Sequence, residues 1–176
     1  MTVIAYRHGI MACDSCWATN GTQNVSFIKI IRLSSGALLG SAGDNDCRAI
    51  IHILDKIKHP DKLPTRQQLA ETKTDYEGLL AFPRGGVWQI VTGKVDMMGF
   101  PEDDDLDFGT WPAATMGGYA ACGSGGDFAL AAMDAGASAK LAVEIACRRS
   151  IHCRLPVHVA RLHPIEVRAQ KHSRKK

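Results

Sequence analysis

Residues 123–149 read GSGGDFALAAMDAGASAKLAVEIACRR, and this stretch decides the fold. Three glycines in four positions open it, and residues 127–135 then place apolar side chains at helical spacing up to a stop at Gly136. Ser138 supplies the N-cap of a second helix over residues 138–149. A glycine-rich entry of this kind brings backbone amides close to a bound anion or an oxyanion at a helix N-terminus. It lacks the lysine of a phosphate loop and the spacing of a dinucleotide fingerprint, so nucleotide binding is not expected.

Upstream of this stretch the pattern changes to a period of two. Residues 2–7 and 10–14 predict two short strands around the turn His8-Gly9, and residues 25–33 and 37–41 predict two more joined by Ser34-Ser35-Gly36. Asp44-Asn45-Asp46 then offers helix-starting side chains, and Cys47, Ile50, Ile51, Leu54 and Ile57 recur at helical spacing until Lys58-His59-Pro60. A mostly polar helix is expected over residues 63–75, started by Pro64-Thr65. Strands are expected at 79–82 and 87–92, flanking Pro83-Arg84-Gly85-Gly86, with 94–98 a third. Residues 99–118 read as loop, and 156–162 as a final strand. Strands in a block, then helices, strands, helices and a strand predict an α+β layered domain with antiparallel sheets.

The chain has 176 residues, 45% hydrophobic and 22% charged, with 17 Gly against 7 Pro, which fits one domain able to bury a core without staples. Residues 1–168 are expected to form that domain and 169–176 a basic tail. The net charge of +3 is concentrated in the closing KHSRKK, so the body is near neutral and offers no basic face for a nucleic acid. No window approaches a membrane span and the start is not a secretory one, so a cytoplasmic protein is expected. The six cysteines are then expected as free thiols.

Four features point to chemistry. Lys29 falls in the row Val25, Phe27, Lys29, Ile31, Leu33, where a buried ammonium demands a carboxylate opposite or a lowered pKa, unless it snorkels to water from an edge strand. Asp14, at the end of a strand, is a reasonable partner, although Asp is also a common turn residue. Thr2 would carry a free α-amine once Met1 is removed, with a pKa near 7.7–8.0, so nucleophile and base share one residue. Gly123-Ser124-Gly125-Gly126 is the fourth. Cys13 and Cys16 have zinc-knuckle spacing but no second Cys/His pair at a suitable distance. Asp103, Asp105 and Asp107 imitate a calcium loop, yet Gly109 comes one place late and Ala114 stands where Glu is required. No metal or other cofactor is expected.

In this order, Thr2, Asp14, Lys29 and the GSGG run resemble the proteasome β-subunit family of N-terminal-nucleophile (Ntn) hydrolases, nearest its HslV branch. TVIAYRHG, IKIIRL, LLGSAGDND, GSGGDFALAAMDAG and LAVEIACRR carry the resemblance over most of the chain. The resemblance implies a four-layer αββα sandwich and a threonine-type peptidase working inside a homo-oligomeric ring, a hexamer or heptamer, possibly stacked. An AAA+ ATPase unfoldase and unfolded polypeptide are the implied partners. It makes Thr2 the nucleophile, Asp14 and Lys29 its charged support, Ser124 the serine near the amine, and Gly40 the backbone donor to the oxyanion. Ser150 and Cys153 stand where many members have Asp and Ser, the cation loop of HslV is not evident, and residues 81–112 are unlike that branch. A catalytically silent ring-former and a small-molecule Ntn amidase are the alternatives.

Overall fold

Strands β1 (Ile4–Arg7) and β2 (Ile10–Cys13) pair antiparallel, with Ile4 opposite Cys13 and Arg7 opposite Ile10. His8 and Gly9 close the turn at φ 51° and 74°, the left-handed pair that matches strand twist in a two-residue hairpin. The computed structural model describes residues 2–19, 22–25, 28–43, 47–72, 76–92, 109–113 and 118–162. The expected strand at 94–98, the acidic run from 103 to 107, the helix-starting residues 44–46 and the basic tail lie outside the described residues.

The first sheet has the order β10-β1-β2-β11, adding β10 (Tyr119–Cys122) and β11 (His158–Arg161) to the hairpin. The second has the order β5-β6-β7-β8-β9: Ile30–Arg32, Leu38–Gly43, Tyr76–Ala81, Val87–Thr92 and Gly109–Pro112. A separate two-stranded ribbon joins β3 (Cys16–Thr19) to β4 (Thr22–Val25). Every pairing is antiparallel.

Period-two alternation divides the strands between two cores. Ile4, Met11 and Cys13 face Leu38, Leu79 and Ala81 between the sheets, while Val3, Ala5 and Ala12 face the other way. Against that outer face lie α3 (Gly126–Asp134) and α4 (Ala139–Arg149), through Ala129, Ala132, Met133, Ala142, Val143 and Ala146. These mostly small side chains let helices and strands approach closely. On the far side, Ile50 and Leu54 of α1 (Arg48–Asp55) and Leu69 of α2 (Arg66–Ala70) cover Leu39, Leu80 and Ile90. The layers are therefore helix, sheet, sheet, helix, as expected. None of the described helices is long and apolar enough to cross a membrane.

Local chemistry accounts for most boundaries. Ser138 Oγ accepts the Leu141 N–H, and Thr65 and Gln68 form a reciprocal capping box at the start of α2. Two expectations need correction. The strand expected over 25–33 is divided: Val25 ends the β3–β4 ribbon opposite Cys16, and β5 begins only at Ile30, so Lys29 precedes a strand and does not interrupt one. Residues 109–112, expected as loop, form β9, because the free edge of β8 takes up their backbone groups.

Candidate active site

Thr2 and Val3 lead into β1, and Asp14 follows β2. The hairpin continues one step beyond the strands, with Asp14 N–H donating to Val3 O at 3.2 Å. Asp14 is completely buried, so each carboxylate oxygen needs partners. Its Oδ1 accepts the Val3 N–H at 3.0 Å and Lys29 Nζ at 2.7 Å. Its Oδ2 accepts the N–H of Cys16 at 2.9 Å and of Arg154 at 3.1 Å. Three main-chain donors and one cation thus hold the anion.

Lys29 is 6% exposed and Thr2 4%. The ammonium that pairs with Asp14 also donates to Thr2 Oγ1, which links carboxylate, cation and hydroxyl in one chain. Of the readings that the sequence left open for Lys29, the structure shows the buried ammonium with a carboxylate opposite, and not a lysine that snorkels to water.

The loop before α3 grips the main chain of Thr2 on both sides. Thr2 N donates to Ser124 Oγ at 3.0 Å, the Ser124 hydroxyl points its proton at Thr2 O at 3.2 Å, and Gly125 N–H donates to the same oxygen at 3.0 Å. Gly123 makes the approach possible: its φ is 82°, and a Cβ there would lie 2.6 Å from Thr2 O.

Gly40 is not brought to Thr2. Register pairs it with Ile30 and Leu79, and since Ser41 N–H donates to Lys29 O, antiparallel alternation turns the Gly40 amide toward β7. A Cβ on Gly40 would meet Ile4 Cγ2 at 2.5 Å and Met11 Sδ at 2.9 Å. This glycine therefore serves close packing of the two sheets, which corrects its assignment to the oxyanion.

Ser150 and Cys153 support the site from behind. Ser150 Oγ accepts the His152 N–H at 3.1 Å, and Cys153 Sγ lies beneath Gly125. Their loop supplies Arg154 N–H to Asp14 and, through Arg154 O, accepts Ser15 N–H at 2.9 Å. Burial pushes the Cys13 thiol up to about 11 and the Cys147 thiol up to about 12, so these neighbours of the charged pair remain neutral. All six cysteines are free.

One carboxylate bonded to the loop before α3 escaped the sequence reading. Glu77 Oε2 accepts the Gly123 N–H at 3.1 Å and Oε1 accepts Gln89 Nε2 at 3.0 Å. The signal was present in YEGLLA, where a period of two puts Glu77 in a row with Leu79 and Ala81.

No protein-family profile matches the sequence, and no curated protein matches it. Solved structures do. BPH from Thiobacillus denitrificans, in complex with epoxomicin, superposes with a TM-score of 0.59 at 19% identity, over 93% of this chain and 99% of that one. Eukaryotic HslV from Trypanosoma brucei gives 0.55 at 16% identity, over 91% and 98%. Anbu, the ancestral β-subunit, from Yersinia bercovieri gives 0.57 at 14% identity, over 93% and 82%. The fold is that of proteasome-type Ntn-hydrolase β subunits.

Proposed function

We propose that the chain is a threonine-type peptidase subunit with Thr2 as its nucleophile. The observation that carries the reading is the buried ammonium of Lys29, hydrogen-bonded to both Thr2 Oγ1 and Asp14 Oδ1. A threonine that served only packing would not need a desolvated cation against its hydroxyl.

Removal of everything before Thr2 turns its main-chain nitrogen into an amine, held by Ser124 Oγ. Thr2 Oγ1 then adds to the scissile carbonyl carbon while the neutral amine takes the hydroxyl proton. Lys29 stabilises the developing alkoxide and lowers the proton affinity of the amine. Collapse of the tetrahedral intermediate breaks the C–N bond, and the amine returns its proton to the leaving nitrogen. Water, deprotonated by the same amine, hydrolyses the ester on Oγ1.

For the oxyanion we assign Gly43. Its amide lies on the same edge of β6 as that of Ser41, one step past Lys29, where β5 no longer pairs.

The test is Thr2→Ala, with the mass of the mature N-terminus measured in parallel. Cleavage of a peptide substrate and covalent labelling by an epoxyketone of the epoxomicin type are expected to vanish, and the wild-type mass to begin at Thr2. Turnover retained in Thr2→Ala refutes the assignment, and a mature chain that keeps residues before Thr2 supports the silent ring-former instead.

A further inference from the structure

We propose that Glu77 is the positioning residue of this site: its carboxylate fixes Gly123 and thereby sets the loop that grips both main-chain sides of Thr2. The inference rests on the reading of Thr2 as the nucleophile.

Glu77 stands on β7 in the second sheet, paired with Ala42 and Val91, and its side chain enters the space between the sheets beside Leu79 and Ala81. A carboxylate there is desolvated, a cost offset by two donors, Gly123 N–H and Gln89 Nε2. Only one of these belongs to its own sheet. Gly123 lies at the end of β10 in the first sheet, so the bond ties the active-site loop across the sandwich. Gly123 immediately precedes Ser124 and Gly125, which hold Thr2 N and Thr2 O. A shift of Gly123 therefore moves both clamps at once.

Around the carboxylate among the described residues are Gln89 from β8 and Cys122 from β10, while Tyr76, next to it on β7, lies on the opposite face of the sheet. Burial raises the thiol of Cys122 and the phenol of Tyr76, so neither neighbour adds a charge. Burial also raises the carboxyl of Glu77, so it takes up a proton at a higher pH than an ordinary glutamate. Protonation removes the charge that strengthens its bond to Gly123.

Glu77→Ala and Glu77→Gln separate positioning from mere folding. Alanine leaves the Gly123 amide without its acceptor; glutamine restores an oxygen to it if Gln89 turns its own amide over. With Glu77→Ala we expect kcat to fall on the order of 10²-fold while KM changes by no more than about threefold, as misplacement of reacting groups does. Glu77→Gln is expected to recover most of that loss. As pH falls, the wild-type rate should decline more steeply once Glu77 takes up its proton than the rate of Glu77→Gln, in which the Thr2 amine titrates without it.

Hydrogen exchange read on the peptide spanning residues 121–126 should quicken in Glu77→Ala, with residues 139–149 unchanged. Unchanged exchange in Glu77→Ala, or a Glu77→Gln as impaired as Glu77→Ala, overturns the proposal. Thr2→Ala run alongside keeps the two claims apart: cleavage that survives it defeats the nucleophile assignment, whereas unaltered exchange at 121–126 in Glu77→Ala defeats the role of Glu77.

Discussion

Asp14 and Lys29 form a buried pair, yet the two are not equivalent. Asp14 has three main-chain N–H donors besides the cation. Asp14→Ala leaves those amides without their carboxylate and an ammonium without its counter-charge, so a stability loss of about 3–5 kcal/mol is expected in thermal or urea unfolding. Lys29→Met removes the cation itself and leaves Asp14 with its amides. Its stability cost should be clearly smaller, while the rate should drop by on the order of 10²-fold or more, as when a preorganised electrostatic partner is lost. Equal destabilisation by both would show that the amides do not hold the anion alone. Glu77 adds a dependence on pH. Its folded-state pKa is raised, so its contribution to stability is full below the ordinary glutamate value and is lost as pH rises through the raised one. Melting curves of Glu77→Gln should lack that decline, and an identical pH trend in both proteins would contradict it.

At the scale of elements, Arg7 shows how β1 locks the helical layer in place. Its Nη1 donates to Met133 O at 2.8 Å and Ala137 O at 2.6 Å, where α3 ends, and its guanidinium lies 5.3 Å from the Tyr119 ring centre. A cation on C-terminal carbonyls complements the helix dipole, so Arg7→Met should cost about 1.5–3 kcal/mol in urea unfolding. A loss within about 0.5 kcal/mol, the usual range for surface substitutions, would show the contact to be idle. The contrast between Arg7 and Ser138 also explains what could be read from sequence. Ser138, Thr65, Gly136 and the His8-Gly9 turn act within a few residues of themselves, so α3, α4, the start of α2 and the first hairpin were legible. Asp14 and Lys29 were legible as a pair because a buried charge announces its need, whereas Thr2 was singled out by its place after Met1 and by the family resemblance. Arg7, Glu77 and Gly40 act on residues far along the chain; the row with Leu79 and Ala81 marks the burial of Glu77, but nothing local marks the distant partner of any of the three. The break between Val25 and Ile30 was hidden for a related reason: both segments favour strand, and only pairing with Cys16 on one side and Gly40 on the other assigns them to different layers.

Over the whole molecule, the site draws on both sheets and on loops 122 positions apart, so it exists only when the sandwich is closed. Described residues that remain exposed on a single copy include Ile151, Leu155 and Val159, at 72%, 54% and 44%, all within the segment that carries Arg154 to Asp14. A lone subunit thus leaves apolar surface beside the backing of its own charged pair, the kind of surface that association with another chain covers. Under the proposed function, sedimentation at micromolar concentration should give a mass that is a multiple of 19.0 kDa. The assembled protein should degrade unfolded polypeptide as well as short peptides. A particle of 19.0 kDa that hydrolyses a short amide but leaves unfolded protein intact would keep the fold and the Thr2 chemistry while removing the compartment, because an open site has no need of a chamber to exclude folded chains.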